Sequence, residues 1–348
     1  MKIHKINRSK LKSVDFNNLQ FGKIFSDHMF STSYIDGEWR NQEITPYAPL
    51  QLDPSTHVFH YGQAIFEGMK AYKNADGNTL LFRPLDNLSR LNASAERLCM
   101  PKINEEVFMG ALKELLKIDN AWIPQSNKKS LYIRPFMIGD STFIRATPSQ
   151  RYRFMIITSP TAFYYNDETA LKIEEKYARS SQGGTGFAKA AGNYAASFAP
   201  TKKAQKDGFT QIIWTDSKSH EYIEESGTMN IMFRINDTIV TPQLSDSILG
   251  GITRDSVLKI AKHRGIKVEE RKIKVREIVD EYKNGNLKEV FGVGTAVTIN
   301  PVHSITHRQF RMRFDSYDEN SYAMTLKTDL LNIQYGRSDD IFNWTIKL

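Results

Sequence analysis

From Gly183 to Phe198 the chain reads GGTGFAKAAGNYAASF. Small residues fill most of this stretch, and a single lysine, Lys189, stands among them. Glycines permit the tight turn that presents such a lysine. Glycine loops that lead through a lysine into a helix commonly hold phosphate, but the two best-known forms do not fit. A Walker A loop needs glycine directly before the lysine and Ser or Thr directly after it, whereas Ala188 and Ala190 flank Lys189. The dinucleotide fingerprint G-x-G-x-x-G requires glycine where Lys189 stands. The second glycine run, GVGTAV (Gly292–Val297), fails the same test at Val297. What remains is an amine with small neighbours, open to close approach by a flat molecule. Partial desolvation lowers the basicity of such an amine and makes it able to form a Schiff base.

The elements around this loop alternate in kind. SLYIRPFMIG (Ser130–Gly139) and RFMIITSP (Arg153–Pro160) read as strands. NEEVFMGALKELLKID (Asn104–Asp119) reads as an amphipathic helix with Val107, Leu112, Leu115 and Leu116 on its apolar face. The second half holds short β-rich runs, FTQIIWTD, HEYIEES, TMNIMFRI and TIVTP, separated by turns and read as hairpins. GGITRDSVLKIAKHRG reads as a helix opened by a glycine pair and closed by Gly265. LKEVFGVGTAVTINPV reads as a strand breaking into a glycine turn, and Pro200 should interrupt the helix that follows Lys189. This is a mixed α/β chain rather than a regular βαβ series. With 348 residues it is long enough for two domains. The expected division is a smaller N-terminal domain over 1–162, a linker over 163–176, and a larger C-terminal domain over 177–348 that carries Lys189.

Composition narrows the partners. Hydrophobic residues make up 40% of the chain and charged residues 25%, as in globular proteins with a real core. No apolar run approaches the ~18–20 residues of a membrane span, so no membrane partner is expected. The net charge of +8 arises from basic residues dispersed among 39 acidic ones. No dense basic block or aromatic–basic repeat points to nucleic acid, and an anionic small molecule explains the charge as well. The single cysteine, Cys99, excludes an intrachain disulfide and a cysteine-built metal site, which fits a reducing cytoplasm. The opening MKIHKINRSKLKSVDF faintly resembles an organellar transit peptide but is read as a basic tail. HVFH (His57–His60) has metal-ligand spacing with nothing nearby to complete a site, and no metal is expected.

YGQAIFEGMKAYK, GGTGFAKAAGNYAAS, YIEESGTMN, GGITRD and FGVGTA occur in this order. Together they resemble the branched-chain aminotransferases, pyridoxal-phosphate enzymes of two-domain fold type IV. The resemblance runs from FGKIFSDHM to IQYG, nearly the whole chain. It implies that Lys189 carries pyridoxal 5′-phosphate and moves the proton between substrate and cofactor. It implies that Glu225 contacts the pyridine nitrogen and Tyr194 the phenolic oxygen. Strand alternation independently puts Ile223 and Glu225 on one face, with Glu224 opposite as a candidate solvated charge. Arg83, the amides of Ile252 and Thr253 at a helix N-terminus, and Thr295 match phosphate contacts.

For substrate, the resemblance implies aromatic walls from Phe21, Tyr61, Phe66 and Tyr132, with Arg134 nearby. The GTA turn ending at Ala296 and the Thr228 hydroxyl match the grip on the substrate carboxylate. Ile144 and Ala146 match a loop lent by a second subunit, so a homodimer is implied. The expected reaction exchanges the amino group of L-Leu, L-Ile or L-Val with 2-oxoglutarate, giving 2-oxo acids and L-Glu. Aminodeoxychorismate lyases and D-amino-acid aminotransferases share the lysine and glutamate and stay as alternatives. A redox C-x-x-C found after the GTA turn in some family members is absent; Val297–Asn300 stand there.

Overall fold

The computed structural model describes residues 1–162, 168–314 and 317–348. By internal contacts the chain divides into two compact units: Met1–Tyr164 with Ala188–Gly192 and Asn332–Leu348, and Tyr165–Phe187 with Asn193–Leu331. This departs from the expected boundaries in two places. The five residues around Lys189 and the C-terminal segment belong to the first unit. Of the expected linker, 163–167 lie outside the described residues, and Ala170–Ile173 is a strand of the second unit.

The first unit is built on a nine-stranded, largely antiparallel sheet. Its central strand, Ser130–Gly139, pairs along its whole length with Tyr152–Thr161. The near-continuous apolar run explains that position, since both faces are covered. Pro135 lies in this strand and has no N–H to give. Its other neighbour is broken at the same level: Ala64–Phe66 pairs with Phe136–Ile138 and Met69–Lys73 with Leu131–Ile133, leaving Glu67 and Gly68 between. The Glu67 N–H instead reaches the Pro135 carbonyl at 2.7 Å.

Helix Glu105–Ile118 starts where the Asn104 side chain accepts the Val107 N–H at 2.8 Å. Its apolar stripe, Val107, Phe108, Leu112 and Leu115, packs with Leu91 and Ala95 of helix Pro84–Arg97 and with Phe30, Phe154 and Ile156 of the sheet. At about 25 cal/mol per Å² of apolar surface, such burial is the main stabilising term.

The second unit holds two five-stranded sheets. One runs Ile223–Ser226, Gln211–Thr215, Ala170–Ile173, Ser304–His307, Phe310–Arg313; the other runs Lys267–Arg271, Thr238–Pro242, Asn230–Ile235, Leu287–Gly294, Thr298–Pro301. The runs read as successive hairpins therefore part company. Ile223–Ser226 and Asn230–Ile235 enter different sheets because Gly227 turns the chain with φ of 54°, a left-handed conformation that glycine adopts freely. Ile213, Ile223, Ile231, Phe233, Val240 and Val290 share one core. Helix Ile252–His263 ends before Gly265 at φ 74°. The helix after Lys189 is interrupted as expected: Ala191–Ala195 stops, and Phe198–Lys206 begins with Pro200 in its first turn, where no N–H is needed.

Candidate active site

In the first unit the site begins at Glu67–Gly68. Gly68 has room for no side chain, since a Cβ would lie 2.2 Å from the Tyr132 hydroxyl oxygen. Tyr132 is in turn edge-on to Phe21 at 4.8 Å and accepts a hydrogen bond from Arg134 Nη2 at 2.8 Å. The Arg134 guanidinium also lies over the Phe66 ring, 4.4 Å from its centroid. Lys189 Nζ stands 5.0 Å from the same centroid. One aromatic ring thus touches two cations, each contact worth ~0.5–2 kcal/mol. The Lys189 peptide is tied down as well. Its N–H donates to Ser94 Oγ at 2.9 Å, its carbonyl accepts from Phe66 N–H at 3.1 Å, and Ala190 bridges to Ile65. Arg134 Nε is buried and finds no acceptor among the described residues.

Arg83 caps helix Pro84–Arg97 in a left-handed conformation, φ 50°. That costs of order 1–3 kcal/mol for a non-glycine residue. Its guanidinium is buried, donates to Asp86 at 2.9 Å and lies 5.1 Å from the Trp344 ring. Tyr61, Ile144 and Ala146 are at exposed positions of this unit, Tyr61 against the His57 ring. The histidines of HVFH each meet a carbonyl: His57 Nε2 that of Thr147 at 2.7 Å, His60 Nε2 that of Pro54 at 2.9 Å.

In the second unit Glu225 is buried, and its Oε1 receives Arg179 Nη2 at 2.8 Å and the Leu249 N–H. The same Arg179 nitrogen reaches the carbonyls of Gly186 and Ser247, at 2.7 and 3.1 Å. Sequence reading missed Arg179, because nothing in YARSSQ marks it and its partner lies 46 residues away.

Leu249 links this carboxylate to a helix end. Its carbonyl accepts from Asn230 Nδ2 at 2.9 Å, and helix Ile252–His263 opens two residues beyond its neighbour Gly250. Gly251, at the N-cap, could carry no side chain: a Cβ would lie 2.1 Å from Asn230 Oδ1. The N-cap Gly251 makes no side-chain capping bond, and the positive end of the helix dipole lies here. Thr253 is buried there. The GTA turn joins Leu287–Gly294 to Thr298–Pro301 with Thr295 and Ala296 at its tip, and the Thr228 carbonyl lies beside Gly294. Tyr194 sits in helix Ala191–Ala195, and Asn193 beside it bonds Thr185 at 2.6 Å.

Glu224 departs from the expected solvated charge. Its Oε1 accepts from Ser247 Oγ at 2.5 Å and its Oε2 is buried. Burial, then neighbouring Glu225 and Asp216, push its carboxyl above the usual range, against Ser247 and Arg179. The Ser245–Ser247 loop meets Glu224 through Ser247, on the side that sequence alone leaves open.

The family described as Amino-transferase class IV matches residues 64–305, so the chain is a class IV aminotransferase. The chain belongs to the branched-chain-amino-acid aminotransferases within that class. It is 43% identical over 347 residues to Branched-chain-amino-acid aminotransferase 2 of Bacillus subtilis (strain 168), covering 99% of this chain and 96% of that one. It is 42% identical over 340 residues to Branched-chain-amino-acid aminotransferase of Mycolicibacterium smegmatis, covering 95% and 92%. Among solved structures, the branched-chain amino acid aminotransferase from Thermobaculum terrenum in its PLP form superposes with a TM-score of 0.75 at 21% identity, covering 92% of this chain and 98% of that one. That likeness adds the fold, here fold type IV.

Proposed function

We propose that this protein transfers the amino group of L-Leu, L-Ile and L-Val to 2-oxoglutarate, using pyridoxal 5′-phosphate on Lys189. The observation that carries the reading is Phe66, whose ring is touched by both the Lys189 amine and the Arg134 guanidinium. Nucleophile, apolar wall and anion donor are thus gathered around one side chain.

The residues fit the cofactor. Glu225, with one oxygen fixed by Arg179 and Leu249, suits a protonated pyridine nitrogen. The N-terminus of helix Ile252–His263, at Ile252 and Thr253, suits a phosphate, with Arg83 and Thr295 as further contacts and Tyr194 on the phenolic oxygen. When bound, the cofactor supplies the electron sink for the carbanion chemistry. The chain does the rest. Lys189 would hold the cofactor at rest, and its freed Nζ would take the proton from the substrate Cα and hand it to the cofactor's C4′. Acid–base work of this kind is typically worth ~10²–10⁴-fold. Ala296 and the Thr228 hydroxyl bind the substrate carboxylate. Phe21, Tyr61, Phe66 and Tyr132 bury the aliphatic side chain.

Glutamate must use the same pocket. The buried, unpartnered Arg134 Nε supports Arg134 as the donor to its side-chain carboxylate, rather than a tyrosine hydroxyl alone. The exposed Ile144 and Ala146 loop supports a homodimer in which each copy closes its partner's pocket. A reducing cytoplasm suits the lone, exposed Cys99.

The test is a transamination screen with 2-oxoglutarate. L-Leu, L-Ile and L-Val should far exceed L-Ala and L-Asp, and D-amino acids should be inert. A higher rate with D-Ala or aminodeoxychorismate would overturn the substrate assignment. Borohydride fixation followed by peptide mapping should place the cofactor on Lys189, and its appearance on another lysine would overturn the site.

A further inference from the structure

One face of helix Pro84–Arg97 carries Asn87, Arg90 and Ser94, at three- and four-residue spacing. Asn87 Nδ2 donates to Glu67 Oε2 at 2.7 Å and to the Gly68 carbonyl at 3.3 Å. Arg90 grips the same carboxylate with two prongs, Nε to Oε1 and Nη2 to Oε2, both at 2.8 Å. The Gly68 N–H adds a fourth donor at 3.1 Å. Ser94, one turn on, accepts the Lys189 N–H. The contacts form a closed ring: helix to Glu67, along the backbone to Phe66, across to the Lys189 carbonyl, and from the Lys189 amide back to the helix.

Glu67 is fully buried, with 0% exposure. Apolar side chains of similar volume generally serve stability as well as a buried ion pair, or better. An anion beside the reactive lysine therefore calls for a role beyond packing.

We propose that Glu67, clamped by Arg90 and Asn87, is a positioning residue for Lys189: it fixes the lysine-bearing peptide against Phe66 and supplies the negative charge that stabilises positive charge on the Lys189 nitrogen. The inference rests on Lys189 being the cofactor lysine. Burial pushes the Glu67 carboxyl up, but Arg90, then the Lys189 cation and Asn87, hold it below the usual range. The other ionisable groups on this side are Arg134 and Tyr132, across the Phe66 ring, and buried Lys70, opposite Tyr132 in register on the same sheet face. Arg90 meets the Glu67 carboxylate directly, with both prongs at 2.8 Å.

The experiment is a pH titration of the visible absorbance of the loaded enzyme, with kcat, KM and thermal midpoint measured in parallel. Glu67→Gln keeps the shape and removes the charge. Its absorbance midpoint should fall by one pH unit or more, a tenfold change in proton affinity. kcat should fall about tenfold, with KM for L-Leu within twofold of wild type. Glu67→Asp should restore the midpoint to near the wild-type value even if it melts earlier. Should Glu67→Gln not fold, Glu67→Met with Arg90→Met replaces the pair with apolar bulk, and its midpoint should also lie below wild type. An unmoved midpoint in the folded variant, with only the thermal midpoint lowered, would overturn the inference. Mapping of the cofactor to a lysine other than Lys189 would instead overturn the reading on which it rests.

Discussion

The Tyr132 hydroxyl occupies the space that a side chain at position 68 would need, 2.2 Å from where a Cβ would stand. That one contact ties the glycine of the EGMK stretch to the arginine of the pocket, because the same hydroxyl accepts from Arg134 at 2.8 Å.

Gly68→Ala should therefore act on Arg134 through Tyr132. The ring must move by about an ångström, and displacements of that size can cost ~10²-fold in rate. If the guanidinium serves the acidic substrate, as proposed, kcat/KM with L-Glu should fall more than with L-Leu. Equal losses for both substrates would disconnect Gly68 from Arg134.

Glu225→Gln should bind the cofactor yet lose turnover by ~10²-fold or more. An amide cannot hold a pyridinium proton, and it cannot pair with Arg179 as the carboxylate does. Cofactor stoichiometry and single-turnover rate are the readouts, and near-normal turnover would mean that another carboxylate does the work.

Phe66→Ala should erode selectivity. Leucine exceeds alanine by three carbons, and each buried methylene is worth about 0.8 kcal/mol, so an intact wall favours L-Leu by ~60-fold. In the variant that preference should shrink, with smaller losses for glutamate. Steady-state kinetics with L-Leu, L-Ala and L-Glu decide it.

Much of this was legible beforehand. The apolar run of Ser130–Gly139 and the 3.6-residue stripe of Glu105–Ile118 are local signals, and both elements form with bounds within a residue or two of the reading. Pro200 split its helix for a local reason as well. Arg179 and the Glu67–Arg90 pair were not legible. They are single polar residues whose partners lie 46 and 23 residues away, and no periodicity carries that information. The strand Ala170–Ile173 was lost in the expected linker because its pairing with Gln211–Ile213 and with Ser304–Thr306 is parallel and long-range, without a turn to announce it.

Glu224 gives a pH-dependent prediction. Its folded-state carboxyl sits above the usual range, chiefly through burial. A group raised in this way contributes stability that is fully present below its unfolded pKa and lost as pH rises through the folded value. Glu224→Gln stays neutral throughout. It should melt above wild type at neutral and mildly alkaline pH, and the gain should vanish as pH falls below the ordinary carboxyl range. Parallel melting curves at every pH would refute this.

The assignment of Ala188–Gly192 and Asn332–Leu348 to the first unit bears on how the gene can be cut. A fragment ending near residue 162 keeps most of the nine-stranded sheet but loses its last strand, Thr345–Lys347, which pairs with Leu80–Phe82. It also loses the lysine peptide that bonds Ser94 and Phe66. Expressed alone, such a fragment exposes a raw sheet edge, a template for aggregation. Chimaeras between relatives that cross over only between the two halves would mix parents inside one unit, joining the strand Thr79–Phe82 from one ancestor to its partner Thr345–Lys347 from the other. Shuffling schemes for this enzyme should therefore treat the two ends of the gene, and the five codons around Lys189, as one inherited block.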